Sequence, residues 1–232
     1  MVTCSAGIYQ SSLLSRVSGV VHGFSTRQLG DARVAANAEA IAGQIGGRSM
    51  TIVGVKQVHG NTVLPADGRT PRIAGDADGI VSVAPRVLLE IHVADCVPVL
   101  LADPDTGVVA AVHAGWRGTL GGIVGNAVRA MTLKGANAAH ICAVIGPHIG
   151  TCCYAVSQER ATLFPGVSSF WEGAWHVDLG KSVYDQLIAA HVEPSRIDRL
   201  ISCTACQTDR FFSYRKDQKA TFGEIVGMIG HI

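Results

Sequence analysis

Charged side chains are scarce in this sequence, and no part of it concentrates one sign of charge. Only 16% of the 232 residues are charged, the formal net charge is +1, and lysines and arginines form no block. Binding to the phosphate backbone of nucleic acid requires concentrated positive charge. We therefore do not expect nucleic acid to be the main partner.

Long apolar runs are also missing, although 48% of the residues are hydrophobic. A membrane-spanning helix needs roughly 20 consecutive apolar residues. The longest apolar stretch of this chain is interrupted by Glu90, His92 and Asp95. The first residues, MVTCSAGIYQ, lack the basic segment and the apolar core of a secretory signal. We therefore expect a protein without a membrane span, located in the cytoplasm.

The seven cysteines lack regular spacing, and their odd number argues against a disulfide framework. Free thiols agree with the expected cytoplasmic location. Cys203 and Cys206 form a CxxC pair, but a zinc ribbon requires a second such pair, which the sequence lacks. We interpret the adjacent Cys152 and Cys153 as packing residues.

Apolar patterns predict short β-strands in the middle of the chain. Apolar residues at positions 87, 89, 91 and 93 have the period of a strand with one buried face. Residues 97–102 and 108–112 are apolar on both faces, which is typical of central strands. The turn-forming segment DPDTG lies between these two runs and predicts a hairpin.

Helical patterns are fewer than strand patterns. One apolar stripe from Leu120 to Met131 predicts a single helix. Asp178 is the predicted N-cap of a later helix that ends near His191. No linker-like segment divides the chain, so we predict one domain over residues 1–232. Its predicted class is α+β, with mixed β-sheets packed against helices.

Three residues near predicted strand ends have side chains of the types that bind zinc. Cys96 precedes one strand of the predicted hairpin and His113 follows the other, so a hairpin places them side by side. His59, in the segment KQVHG, is grouped with them. Thiolate and imidazole suit zinc, and three protein ligands leave a fourth position open for water or substrate. We call these three residues the His–Cys–His group.

Spacing alone leaves other interpretations of the same residues open. They can be two core histidines and a buried cysteine, since their spacing matches neither a zinc finger nor HExxH. Cys96 and His113 can also form a reactive thiolate–imidazolium pair without metal. A copper oxidase is not favoured, because the chain contains no HxH or HCH pair.

Several other residues are candidates for substrate binding. Arg27, Arg117 and Arg215 can hold an anion, because the guanidinium fork fits phosphate oxygens. His148 lies in a glycine-rich loop just after a predicted strand and is a candidate pocket residue.

The most specific segments of the chain are ADCVPV at residues 94–99 and HAGWRG at residues 113–118. The matching segments run through nearly the whole chain and also include HGFSTR at 22–27, KQVHG at 56–60, DADG at 76–79, IGPHIG at 145–150 and FSYR at 212–215. This combination resembles the YfiH-type family. That family has long been labelled multicopper polyphenol oxidoreductase, or laccase-like, and is now associated with purine nucleoside phosphorylase activity.

The resemblance implies a fold and a metal site. The implied fold is a single domain with mixed β-sheets layered between helices, in the order α/β/β/α. The implied metal is zinc rather than copper, held by the histidine of QVHG, the cysteine of ADC and the histidine of HAGW. In this chain those residues are His59, Cys96 and His113.

The resemblance also implies an activity and its small-molecule partners. The implied reaction is phosphorolysis of adenosine, inosine, guanosine and methylthioadenosine, with adenosine deamination beside it. For deamination, Asp95 is a candidate proton shuttle because it lies next to Cys96 in the sequence. Purine nucleosides and phosphate are then the partners. Some bacterial members are instead discussed as peptidoglycan-precursor editing hydrolases. One departure concerns substrate preference, because Glu224 stands where the family commonly has an arginine.

Overall fold

The computed structural model describes residues 2–217 and 222–232. Within these ranges the strands are β1 (Val2–Ser5), β2 (Ile8–Ser11), β3 (Val20–Ser25), β4 (Thr51–Lys56), β5 (Val63–Ala66), β6 (Ile73–Asp76), β7 (Gly79–Ser82), β8 (Val87–Val93), β9 (Val97–Ala102), β10 (Val109–Ala114), β11 (Cys142–Ile145), β12 (Ala155–Val156), β13 (Ser168–Trp171), β14 (Ala174–Val177), β15 (Ile197–Arg199) and β16 (Ile225–His231). The α-helices are α1 (Ala35–Gln44), α2 (Trp116–Leu120), α3 (Ile123–Thr132), α4 (Gln158–Thr162) and α5 (Leu179–Ala189). Short 3-10 turns lie at Leu14–Arg16, Arg27–Leu29, Ala138–His140 and Pro194–Arg196.

Two large mixed sheets form the centre of the molecule. The first has seven strands in the order β1-β2-β3-β16-β8-β4-β6, and the second has six in the order β15-β11-β9-β10-β7-β5. A small sheet, β12-β14-β13, is separate from both. Parallel pairs, such as β4 with β8 and β11 with β15, occur beside antiparallel ones. The predicted α+β class with mixed sheets is confirmed.

Three apolar clusters separate the layers. One lies between the two large sheets and contains Leu89 from the first and Leu100 from the second. A second cluster packs α3 and α5 against the outer face of the six-stranded sheet. A third packs Ile41 of α1 against Leu88 and Met228 of the seven-stranded sheet. The layers are therefore α/β/β/α, as the family resemblance implied.

The prediction that β8 has only one buried face is wrong. Leu88 and Leu89 point to opposite faces of this strand, and both are fully buried. The reason is that β8 lies between β16 and β4, and α1 covers the face that carries Leu88. Alternation in sequence cannot reveal a helix that packs on the second face.

The predicted single helix from Leu120 to Met131 is also wrong. The chain forms α2 and α3 with a break at Gly121 and Gly122, and Gly122 adopts a left-handed φ of +74°. A helix cannot continue through that conformation. Leu120 lies before the break and is 42% exposed, whereas Met131 is buried.

Two local predictions are confirmed. β9 and β10 form the expected antiparallel hairpin, with His113 opposite Pro98 and Ala114 opposite Val97. Asp178 caps α5 by accepting a hydrogen bond from the Lys181 backbone N–H at 2.7 Å. In the part of the chain that the structure describes, no helix is both long enough and apolar enough to cross a membrane.

Candidate active site

The β9–β10 hairpin places Cys96 and His113 at the same end of the six-stranded sheet. Cys96 directly precedes β9, and His113 is the second-to-last residue of β10. Gly115 is the second residue after His113, and its backbone lies close to the side chains of Cys96, His113 and His59. A Cβ atom at Gly115 would lie 2.9 Å from Cδ2 of His59 and 3.2 Å from Sγ of Cys96. Glycine at this position therefore allows the three side chains to meet.

His59 is held in place by the buried carboxylate of Asp78. The chain turns after β4, and His59 adopts a left-handed φ of +59°. The backbone N–H groups of Val58, His59 and Gly60 all donate to the Asp78 carboxylate, at 3.2, 2.9 and 2.5 Å. These bonds stabilise a conformation that non-glycine residues rarely adopt.

Asp78 also orients His113. Oδ1 of Asp78 lies 2.7 Å from Nδ1 of His113. Burial opposes ionisation of Asp78, but hydrogen bonds from His113 and Gly60 lower its pKa, so the carboxylate accepts and Nδ1–H donates. Nε2 of His113 is then the ring nitrogen available to a ligand. Sequence reasoning assigned no role to Asp78, although its segment DADG was among those that carry the family resemblance.

The His–Cys–His group is compact enough to hold one ion. Its ligand atoms all lie within 4.8 Å of one another. The two imidazole rings meet edge to face at 90°, with their centroids 4.9 Å apart. Metal–ligand bonds of about 2.0–2.3 Å to nitrogen and sulfur require only small side-chain rotations from this arrangement. The group is therefore a candidate metal centre, as predicted.

The electrostatics of the group favour an ionised thiol. Burial would raise the pKa of Cys96, but the nearby His113 and His59 lower that pKa to about 7. Burial would lower the pKa of His113, but the Cys96 thiolate and Asp78 raise that pKa to about 9. Near neutral pH the thiolate therefore has a positive neighbour, either a bound cation or the imidazolium of His113.

The group lies in the wall of a cavity of about 870 Å³. This volume is within the usual range for small-molecule sites, roughly 300–1,000 Å³. The cavity is lined by five arginines, Arg33, Arg72, Arg117, Arg160 and Arg215, and by the aromatic residues Trp116, Tyr154, Tyr214 and Phe222. Aromatic rings suit a planar ligand and arginines suit an anion, so this cavity can hold both beside the candidate metal centre.

Two of the predicted arginines line this cavity. The guanidinium of Arg117 lies 4.4 Å from the ring centroid of Trp116, and that of Arg160, which sequence reasoning missed, lies 4.3 Å from the same centroid. Arg215 lies over Tyr154 and donates to the backbone carbonyls of Cys153 and Ala155. These contacts hold the three cations against the cavity wall.

Arg27 and His148 are not among the residues that line the cavity. Arg27 donates to the Asp217 carboxylate at 2.6 Å and stacks on Phe212. His148 donates from Nδ1 to the Gly146 carbonyl at 2.8 Å, and its ring packs closely against Gly180. Both side chains are thus engaged in contacts of the fold, and the geometry does not support their predicted contact with substrate.

Asp95 lies beside Cys96 and lines the cavity, but its carboxylate is fully engaged. Oδ1 accepts from the Thr204 hydroxyl at 2.6 Å. Oδ2 accepts from the Ser213 hydroxyl at 3.0 Å and from the Arg215 backbone N–H at 2.7 Å. Asp95 therefore anchors two loops at the cavity, and its role as a proton shuttle stays a prediction.

A second polar group in the cavity lies on β8. Glu90 is 3% exposed, and its Oε1 lies 2.5 Å from Nη1 of Arg72 and 3.1 Å from Nε2 of His92. Burial would raise the pKa of Glu90, but His92 and Arg72 lower it overall. Oε2 of Glu90 and Nδ1 of His92 are buried without a hydrogen-bond partner among the described residues. The interruption of an apolar strand by Glu90 and His92 is the sequence signal for this group.

The family assignment rests on nearly the full length of the chain. Residues 20–231 match the family described as multi-copper polyphenol oxidoreductase laccase. The chain belongs to this family. The matched range contains the whole His–Cys–His group together with Asp78 and Glu90. The resemblance that the sequence motifs predicted is therefore confirmed.

Curated proteins that are similar in sequence to this chain are named purine nucleoside phosphorylase. The relative named ORF3 from Streptomyces griseus is 39% identical over 207 residues, which cover 85% of this chain and 81% of that protein. The relative named YlmD from Geobacillus stearothermophilus is 39% identical over 163 residues. That match covers 66% of this chain and spans 59% of the length of YlmD.

Solved structures confirm the fold over the full chain. The crystal structure of YlmD from Geobacillus stearothermophilus has a TM-score of 0.86 and 28% identity, and covers 99% of this chain and 98% of that chain. The Bacillus licheniformis hypothetical protein YfiH has the same TM-score with 25% identity, and covers 98% of this chain and 97% of that chain. This family member therefore has the YlmD and YfiH fold.

Proposed function

We propose that this protein is a zinc-dependent purine nucleoside phosphorylase. The proposed substrates are adenosine, inosine, guanosine and methylthioadenosine, with adenosine deamination as a second activity. The observation that carries the proposal is the His–Cys–His group in the wall of a cavity that also carries five arginines. The names of the curated relatives support the same assignment. Action on nucleosides and free phosphate agrees with the predicted cytoplasmic location.

The donor set of the His–Cys–His group suits zinc. One thiolate and two imidazoles are ligands that zinc prefers, and three protein ligands leave a position for substrate. His113 donates its other ring N–H to Asp78, which is the usual arrangement behind a zinc-binding histidine. When bound, zinc supplies Lewis-acid polarisation of an atom of the substrate.

Arg117, Arg160 and Arg215 are the proposed phosphate-binding residues. In phosphorolysis, phosphate attacks the ribose carbon as the purine leaves, so the protein must hold an anion beside the nucleoside. The guanidinium groups of these residues line the same cavity as the His–Cys–His group. Their contacts with Trp116 and Tyr154 restrict their motion, which lowers the entropic cost of positioning the anion.

The polar group on β8 is the proposed contact for the nucleoside. The unpartnered Oε2 of Glu90 can accept a hydrogen bond from a ribose hydroxyl or a purine amino group, which would remove the cost of leaving it unpaired. Glu224 adds a second carboxylate at this side, with Oε2 3.9 Å from Nδ1 of His92. Two acids here disfavour phosphate, so we place phosphate near Arg117 and Arg160 instead.

The test combines metal analysis with a phosphorolysis assay. We expect purified protein to contain zinc bound by the His–Cys–His group and to release hypoxanthine from inosine only when phosphate is present. Cys96→Ala should lose both that zinc and the turnover, whereas Cys4→Ala, at an exposed cysteine on β1, should keep both. Loss of metal from Cys96→Ala with unchanged turnover would refute zinc catalysis. Release of no purine base from any of the four nucleosides by the wild type would refute the proposed function.

The thiolate–imidazolium pair of Cys96 and His113 supports one alternative. A cysteine hydrolase acting on peptidoglycan precursors would use the same lowered thiol pKa without a metal. Such an enzyme would keep its activity after chelation and lose it on thiol alkylation.

A copper-dependent polyphenol oxidase, the activity in the family description, would instead contain copper on metal analysis.

A further inference from the structure

Four cysteines outside the cavity lie together in the fold. Their Sγ atoms are all within 4.8 Å of one another, and we call these residues the four-cysteine cluster: Cys152, Cys153, Cys203 and Cys206. The sequence contains only one CxxC pair, which by itself predicts no zinc site. The fold supplies the missing pair from a segment about 50 residues earlier, the adjacent cysteines after β11.

Parallel pairing of β11 with β15 explains why the two segments meet. The chains leaving two parallel strands emerge at the same edge of a sheet, and both segments follow this pair directly. The pairing continues beyond the strands through a bridge between His148 and Cys203, and the Thr204 N–H donates to the His148 carbonyl at 3.0 Å. The cluster therefore rests on regular backbone pairing rather than on side-chain placement alone.

The backbone around the cluster has features of a thiolate site. The Gly150 N–H donates to Sγ of Cys203 at 3.1 Å, and such donors support metal-bound thiolates. A Cβ atom at Gly150 would lie 3.1 Å from Cβ of Cys203 and 3.2 Å from Sγ of Cys152, so glycine allows the two turns to approach. The Cys206 N–H donates to the Cys203 carbonyl at 3.2 Å and so folds the CxxC turn toward the other pair.

The sulfur positions favour a shared ion over a disulfide. Sγ of Cys206 lies 3.5 Å from Sγ of Cys152 and 3.4 Å from Sγ of Cys153, so neither is singled out as its partner. Zinc–sulfur bonds of about 2.3 Å in a tetrahedron place sulfur atoms about 3.8 Å apart. The two separations from Cys206 are 0.3–0.4 Å shorter than that spacing, and no two ligand atoms of the cluster are more than 4.8 Å apart.

We propose that Cys152, Cys153, Cys203 and Cys206 bind one zinc ion as a structural site, separate from the His–Cys–His group. Four protein ligands fill a tetrahedral shell and leave no position for substrate. The site joins the loop after β11 to the segment after β15, and both segments contact residues that line the cavity. Tyr154 follows Cys153 and lines the cavity, Arg215 donates to the Cys153 carbonyl at 3.2 Å, and Thr204 holds Asp95.

Zinc stoichiometry tests this proposal independently of the proposed activity. We expect Cys203→Ser/Cys206→Ser to contain one zinc ion less per chain than the wild type, whatever the count in the wild type. Cys4→Ser, at a cysteine outside both groups, should keep the wild-type count. Cys96→Ser/His113→Gln should retain the zinc of the cluster even if it binds none at the cavity and turns over no nucleoside. An unchanged count in Cys203→Ser/Cys206→Ser would overturn the proposal.

Cobalt substitution covers the case in which the double serine variant fails to fold. Cys96→Ser/His113→Gln loaded with Co²⁺ should show thiolate-to-cobalt charge-transfer absorption and the visible bands of tetrahedral cobalt. Adding Cys206→Ser alone to that variant should weaken these bands. Absence of the bands would overturn the proposal. An intact mass lower by two hydrogens in the wild type but not in Cys203→Ser/Cys206→Ser, both purified with reductant, would also overturn it, since that result assigns a disulfide to the cluster.

Discussion

Nδ1 of His113 lies 2.7 Å from Oδ1 of Asp78, and the same carboxylate accepts hydrogen bonds from the backbone at His59. A single buried acid thus positions two of the three proposed zinc ligands, although it is not a ligand itself. Outer-shell residues of this kind usually change metal affinity by a factor of about 10 to 100 when they are replaced.

Asp78→Asn should weaken zinc binding by about 10- to 100-fold. An amide has one acceptor oxygen instead of two, and its NH₂ group would face N–H donors. The measurement is a zinc competition titration with a chromogenic chelator. Asp76→Asn is the matched control, because Asp76 lies in the same segment with an exposed side chain that pairs with Lys56. Equal zinc affinity in Asp78→Asn and the wild type would contradict the proposed role.

Gly115→Ala should disrupt the His–Cys–His group by direct contact. The new methyl group would lie 2.9 Å from Cδ2 of His59 and 3.2 Å from Sγ of Cys96. We expect the variant to fold and to lose most of its zinc affinity, as measured by metal content after dialysis. Gly125→Ala in α3 is the control, since a Cβ atom there meets nothing within 4 Å. That control should keep its zinc and gain about 0.5–1 kcal/mol in free energy of unfolding.

The sequence was sufficient for the parts of the site that are close along the chain. The turn DPDTG joins two apolar runs, and this local pattern predicted the hairpin that brings Cys96 beside His113. Residue chemistry and the motif resemblance added His59. Both kinds of information are readable without knowing which strands pair over long distances.

The functional residues that the sequence did not reveal depend on strand pairing over long distances or on the shape of the cavity. Asp78 reaches His113 because Gly79 of β7 lies opposite Val112 of β10, a pairing that hydrophobic periodicity does not specify. Alternation places Glu90 on the exposed face of a strand, but it is buried and lines the cavity. The four-cysteine cluster depends on the parallel pairing of β11 with β15, strands that lie about 50 residues apart.

Arg160→Ala should raise the KM for phosphate by about tenfold or more while changing the KM for inosine little. A hydrogen bond to a charged group contributes about 1.5–3 kcal/mol, which corresponds to at least that factor. Steady-state kinetics with each substrate varied separately will measure the effect. Arg129→Ala, at an exposed arginine of α3 outside the cavity, is the control. An equal rise in both KM values would show that Arg160 does not act on phosphate selectively.

Because of His22, we expect the free energy of unfolding to decrease in mildly acidic solution. Its Nε2 accepts a hydrogen bond from the Ser11 backbone N–H at 2.9 Å, which requires a neutral ring. Burial lowers the pKa of His22 from 6.5 to about 4. Between these two values the unfolded chain binds a proton that the folded chain does not, so stability decreases as pH falls through that window.

The contribution of His22 to the free energy of unfolding should decrease by about 2 kcal/mol from pH 7 to pH 5. His22→Gln, whose amide oxygen can accept from Ser11 but cannot take up a proton, should remove that part of the pH dependence. Urea unfolding of both proteins at the two pH values measures the difference. His191→Asn changes an exposed histidine and should leave the wild-type pH dependence intact. If His22→Gln lost as much stability as the wild type on acidification, protonation of His22 would not be the cause, and the acid sensitivity would have to come from other titrating groups.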